Sequence, residues 1–166
     1  MSTNSLQSSR HAGHMTDTDF VFLVVDDNEN NRYTLIHRLK RLGFYNVVTA
    51  ENGRQALDLI SQQQFDIVLL DIMMPEMDGY AVLERLRDEG LLVNLPVIVI
   101  SALDELDSVI RCIKLGAEDY LPKPFNATLL EARINATLEK KRLRDEVVKQ
   151  LAVIRDVFGK YVPESV

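Results

Sequence analysis

Five residues of this chain could do chemistry together: the adjacent carboxylates Asp26 and Asp27, then Asp71, Ser101 and Lys123. Three gathered carboxylates repel one another and raise their own pKa values unless a cation joins them. A hard divalent ion suits them: magnesium accepts one or two carboxylates, several waters and a phosphate oxygen, whereas calcium wants more protein oxygens than this set supplies. Manganese takes the same oxygen donors. An aspartate in such a place can attack phosphorus and form an acyl phosphate, provided the charge on the transferring phosphoryl group is neutralised. The ammonium of Lys123, the hydroxyl of Ser101 and a metal ion could share that task. Nothing in the set is a base required to activate water.

These residues can meet only if the fold brings them together. From Phe20 onward, short apolar runs (20–25, 47–50, 67–70, 97–100 and the brief 119–121) alternate with stretches whose apolar residues recur at helical spacing (30–42, 53–63, 79–87 and 105–115). The runs suit buried strands and the stretches suit amphipathic helices. Gly43, Gly90 and Gly116 stand where helix ends need a left-handed residue. Alternating strands and helices predict an α/β, doubly wound, five-stranded parallel sheet of flavodoxin-like order 2-1-3-4-5, with an extended C-terminal helix. Ligands in such sheets bind beyond the carboxyl ends of the strands. Asp26-Asp27, Asp71 and Ser101 end three of the runs, and Lys123-Pro124 follows the last. Any one of these residues alone reads as a helix cap, a turn former or a solvated lysine. Their arrival at four strand ends on one sheet edge argues for a site.

The bulk properties narrow the class. A chain of 166 residues that is 46% hydrophobic and 27% charged fits one compact domain with an appendage. No run approaches the ~18 apolar residues of a membrane span, and no basic-then-apolar leader is present, so a cytoplasmic protein is expected. The single Cys112 rules out an internal disulfide or a cysteine zinc cage and reads as a packing residue. The net charge of −6 divides into +2 for residues 126–166 and −8 for the rest, which argues against a nucleic-acid surface on the main domain. Residues 1–19 are polar and read as a disordered tail, with Gly13-His14-Met15 as an expression-vector scar that leaves His11 and His14 without a role. His37 reads as a solvated helix residue.

The segments 23–27 (LVVDD), 71–79 (DIMMPEMDG), 101–102 (SA) and 123–125 (KPF) together resemble the receiver domains of two-component response regulators, a likeness covering residues 20–138. The resemblance implies Asp71 as phospho-acceptor, Asp27 as a direct metal ligand, Asp26 as a ligand through water and the Met73 carbonyl as a further ligand. It also implies Ser101 as the switch hydroxyl, Tyr120 as a rotating aromatic, Lys123 as the phosphate-pairing lysine and a cis Lys123–Pro124 peptide. A histidine kinase or phosphotransfer protein is the implied donor, and the domain supplies its own catalytic groups without being a conventional enzyme. Met73, Met74 and Met77 are otherwise loop packing, since thioethers bind hard ions poorly. Met73 and Leu103, two positions after the acceptor and the switch residue, flank the path of hydrolytic water in receivers. Both are apolar here, so slow self-dephosphorylation is expected. Arg133 and Asp119 match a pair used across dimer interfaces in one receiver subfamily, although Leu129 replaces an acidic member of that set.

The last helix continues past the receiver to about Phe158 without Gly or Pro. Val147, Leu151, Ile154 and Phe158 are spaced 4, 3, 4, a coiled-coil seam broadened by Leu143 and Val157. Residues 139–158 are therefore expected to link two copies as a parallel homodimer; a helix folded back on its own domain is the alternative. Residues 159–166 resemble the opening segment of class III nucleotide cyclase domains and read as the start of a missing effector. The remaining functional alternative is a phosphorylation-independent dimerisation or protein-interaction module.

Overall fold

The computed structural model describes residues 19–160. Five strands and five helices alternate as β1 (Val21–Val25), α1 (Glu29–Arg41), β2 (Asn46–Ala50), α2 (Gly53–Gln62), β3 (Ile67–Leu70), α3 (Gly79–Asp88), β4 (Val97–Ser101), α4 (Leu106–Lys114), β5 (Asp119–Pro122) and α5 (Ala127–Gly159). All strand pairs are parallel and the sheet order is β2-β1-β3-β4-β5, the predicted winding. Of the tail assigned to residues 1–19 and the cyclase-like segment assigned to 159–166, residues 1–18 and 161–166 lie outside the described residues, while Gly159 ends α5 and Lys160 caps it.

Strand residues alternate between two cores, as a period of two requires. Leu23, Val25, Val68, Leu70, Val97 and Val99 pack with α2, α3 and α4. Phe22, Val24, Ile67, Leu69, Ile98 and Ile100 pack with α1 and α5 through Leu35, Leu39, Leu130, Ile134 and Leu138. Burial on both sides explains why these strands read as continuous apolar runs. Cys112 is buried in the first of these cores, and burial pushes its thiol up to about 11.

The anticipated glycines take positive φ, 93° at Gly43, 71° at Gly90 and 106° at Gly116. Two local features were not anticipated: a 3-10 turn over Leu91–Val93, and a left-handed Glu76 at φ 64°. Both fall in loops, where a single sequence has no periodicity to read. The loop after β3 is tight because Gly79 donates its N–H to the Ile72 carbonyl at 2.9 Å. A Cβ at Gly79 would run into the Asp71 carbonyl, so only glycine fits this approach.

Candidate acidic site at the carboxyl edge of the sheet

The strand register sets the site. Val25 pairs with both Ala50 and Leu70, so Asp26 and Asp71 leave adjacent strands side by side. Asp71 donates its N–H to the Val25 carbonyl at 2.9 Å, and Asp26 donates to Ala50 at 3.2 Å, which carries sheet pairing up to the acidic residues. On the far side Ser101 pairs with Pro122, and Lys123 N donates to the Ser101 carbonyl at 2.8 Å. The Lys123–Pro124 peptide is cis.

The helix cap after β1 falls to Asn28, whose side chain accepts from Asn31 N at 3.0 Å, and not to Asp26 or Asp27. Asp26 is 1% exposed, and its Oδ1 accepts from Asn28 N at 2.9 Å. Asp71 is 7% exposed, and its Oδ1 accepts from Ile72 N at 2.7 Å. The other oxygen of each carboxylate faces Lys123, whose Nζ donates to Asp26 Oδ2 at 2.6 Å and to Asp71 Oδ2 at 3.2 Å. Asp27 is exposed at the mouth, and one carboxylate oxygen each from Asp26, Asp27 and Asp71 lie within 4.8 Å of one another.

Electrostatics make this a poised arrangement. Burial raises the Asp71 pKa most, Lys123 lowers it through its charge, and Asp26 raises it again. Three carboxylates against one ammonium leave two negative charges in a compact, half-open site. A divalent ion matches that deficit, and an all-oxygen donor set suits magnesium or manganese. The residues present therefore fit a hard cation.

Ser101 is fully buried, and its hydroxyl accepts from Leu103 N at 3.4 Å. Tyr120 is buried under α4, and among the described residues its hydroxyl has no hydrogen-bond partner. Burial raises its pKa, an effect that the nearby Ser101 side chain partly opposes. Met73 is exposed on the loop after β3, while Leu103 is partly buried against the core. The structure thus gathers Asp26, Asp27 and Asp71, joins Lys123 to Asp26 and Asp71, and links Ser101 to Lys123 through the backbone and to Leu103 through its hydroxyl.

One contributor escaped the sequence reading. Arg32 on α1 donates from Nη1 to the Asp26 backbone carbonyl at 2.7 Å and pairs with Glu51 at 3.5 Å, tying the loop after β1 to the loop after β2. Its place one helical turn beyond the cap carries no signal that separates it from a solvated arginine. His37 is exposed and stacks on Tyr33, with ring centroids 6.3 Å apart.

Beyond the site, Arg133 and Asp119 pair within the chain at 3.0 Å. The seam residues Leu143, Val147, Leu151, Ile154 and Phe158 are all exposed on α5.

A doubly wound sheet with an acidic cluster, a lysine and a buried hydroxyl at its carboxyl edge defines a receiver-type signalling domain. The sequence profile of the response regulator receiver domain matches residues 22–135, and the chain belongs to that family. It is 43% identical over 118 residues to a protein named "Probable transcriptional regulator ycf27" from Guillardia theta, covering 71% of this chain and 45% of that one. A namesake from Cyanidium caldarium is 40% identical over 127 residues, with 76% and 49% covered. The chain spans about half the length of these curated relatives. Among solved structures, the receiver domain of the Francisella response regulator 1452 superposes with a TM-score of 0.68 at 34% identity, covering 74% of this chain and 98% of that one. A CheY-like receiver domain protein from Methanospirillum hungatei gives 0.69 at 25% identity, with 75% and 98% covered.

Proposed function

We propose that Asp71 accepts a phosphoryl group from a phosphohistidine on a histidine kinase or phosphotransfer protein. The observation that carries this reading is the convergence of three carboxylates with Lys123 Nζ bridging two of them. The P–N bond to the donor imidazole breaks as a P–O bond to an Asp71 carboxylate oxygen forms. Asp71 must react as the carboxylate, and Lys123 favours that form against the effect of burial. Lys123 then balances charge on the phosphoryl oxygens, with the Ser101 hydroxyl as a donor.

Asp27, Asp71 and the Met73 carbonyl would hold magnesium or manganese, with Asp26 acting through water. The ion would supply further charge neutralisation during transfer. A groove of about 450 Å³ borders Lys123 and is lined by Asn31, Leu35 and Arg38 of α1 and by Pro124 and Phe125. It offers a seat to the phosphohistidine-bearing surface of a cytoplasmic donor protein.

Outward, we read the phosphorylated state as passing from Ser101 and Tyr120 to the face made by α4, β5 and α5. Residues 20–138 form the receiver in this reading, 139–158 a coiled-coil linker that joins a homodimer, and 159–166 the start of an effector, with a nucleotide cyclase as our candidate. The receiver itself would not bind nucleic acid; the name carried by the ycf27 proteins belongs to chains about half of which this one does not span. Met73 and Leu103 would make the acyl phosphate long-lived, since neither side chain can hydrogen-bond an attacking water.

Incubation with magnesium and a small acyl phosphate, followed by intact mass, tests the reading. One phosphoryl group is expected on the parent and none on Asp71→Asn. Phosphate on the Asn variant would reject the assignment. No phosphate on the parent would favour the second reading, a phosphorylation-independent module, which the exposed apolar residues of α5 also suit.

A further inference from the structure

One stripe of α5 changes character where the helix leaves the domain. At 3.6 residues per turn, Arg133, Lys140 and Arg144 lie on a common face. All three are engaged by their own chain: Arg133 with Asp119 at 3.0 Å, Lys140 with Glu118 at 3.3 Å, and Arg144, which donates from Nη1 to the Val93 carbonyl at 2.8 Å. The same face continues as Val147, Leu151, Ile154 and Phe158, which are 54%, 56%, 50% and 64% exposed. The adjacent Lys141 adds a contact to Asp66 at 3.9 Å. From Val147 on, no described residue outside α5 covers the stripe.

A helical segment of this length is marginal in water by itself, and its stability ordinarily comes from burying an apolar face. The occupant must run alongside for several turns with matching spacing. A second copy of the chain meets that demand. Parallel and in register, each of the four layers faces its own counterpart. Leu143 then meets the other copy's Val148, and Gln150 its Arg155, so no like charges oppose.

The next layer toward the receiver would set Arg144 against Arg144. The hydrogen bond to Val93 draws that guanidinium onto its own domain instead. We infer that two copies pair through a parallel, in-register coiled coil whose first layer is Val147, with Arg144 held out of the seam by the Val93 carbonyl. The inference rests on the homodimer reading above, whose parallel orientation the spacing of the seam already predicts, and adds register and starting point to it.

Sedimentation velocity on the whole unphosphorylated chain should show a dimer that Leu151→Glu dissociates. A monomeric parent would overturn both the inference and the homodimer reading. Val147→Cys should form an intermolecular disulfide on mild oxidation, whereas Val153→Cys, on the opposite face, should not. A dimer that fails to cross-link at position 147, or that cross-links equally at 153, would overturn orientation and register while leaving dimerisation intact. Arg144→Leu should give a dimer at least as tight as the parent. A dissociation constant raised tenfold would place Arg144 in the interface and overturn its withdrawal. Circular dichroism confirms that each variant is folded.

Discussion

Asp71→Asn should stabilise the unphosphorylated, metal-free chain at neutral pH. The carboxylate is 7% exposed and shares the Lys123 ammonium with Asp26, which holds that ammonium more closely, at 2.6 Å against 3.2 Å. Asparagine keeps the acceptor for Ile72 N, which reaches Oδ1 at 2.7 Å, and leaves Lys123 to Asp26 alone. What it loses is a charge whose burial outweighs the attraction of Lys123, as the raised pKa indicates. Relief of a poorly compensated buried charge is worth about 1–2 kcal/mol, at the low end of the values for replacing buried ion pairs. For a chain of this size that is about 2–8 °C in Tm.

The pH dependence has a definite sign. A folded-state pKa above the unfolded value means that the charge cost is fully present above the folded pKa and absent below the unfolded one. The advantage of asparagine should therefore shrink as pH falls through the raised Asp71 pKa and vanish below the ordinary aspartate range. Magnesium should act in the same direction: at tenfold excess over its Kd it adds about 1.4 kcal/mol to the parent by linkage, and it should add less to a variant lacking one ligand. Thermal melts across pH, with EDTA and with magnesium, measure all three effects. Destabilisation by Asp71→Asn, or a gain unaffected by pH, would refute the electrostatic reasoning.

Three further outcomes follow from particular contacts. Arg32→Met, which strips the Asp26 carbonyl of a charged donor, should cost about 1.5–3 kcal/mol in urea melts, whereas Glu51→Gln, at the exposed end of the same contact, should cost less than about 1 kcal/mol. Gly79→Ala should cost about 1–3 kcal/mol by overpacking against the loop after β3 and should slow phosphorylation, because the displaced atoms include the Asp71 carbonyl. Met73→Asn combined with Leu103→Gln should shorten the acyl phosphate lifetime by about tenfold, short of the ~10²–10⁴ of full acid-base catalysis. An unchanged phosphate-release time course would remove those side chains from any role in its lifetime.

The winding and the carboxyl-edge residues were legible in the sequence for a physical reason. A parallel sheet buried on both faces writes each strand as an apolar run, and polar residues that end such runs stand out. Asp26, Asp71 and Ser101 are of this kind. Arg32 was not, because an arginine on an amphipathic helix looks the same whether it meets solvent or a backbone carbonyl. The left-handed Glu76 and the 3-10 turn at Leu91–Val93 depend on loop geometry, which has no period to read. The apolar stripe of α5 was visible by spacing. The tether of Arg144 to Val93 was not, since it joins positions 51 residues apart.

The two ends of the receiver are joined by α5 itself. Its cap, Asn126, lies three residues after Lys123, at the carboxyl edge of the sheet. Its contacts through Lys140, Lys141 and Arg144 reach Glu118, Asp66 and Val93, which precede β5, β3 and β4 at the amino edge. The 33 residues of the helix span about 50 Å. Residues 127–158 contain no glycine or proline to place a kink. Leu130, Ile134 and Leu138 fix the middle of the packed segment in the core. A displacement of Lys123 on phosphoryl binding would therefore move α5 as a body, and its cost would be set where the helix is tied at the amino edge. Lys140 and Lys141 make ion pairs there, and Arg144 makes a neutral-acceptor hydrogen bond next to the first seam layer. That tie stands between chemistry at Asp71 and the geometry of the seam from Val147 to Phe158.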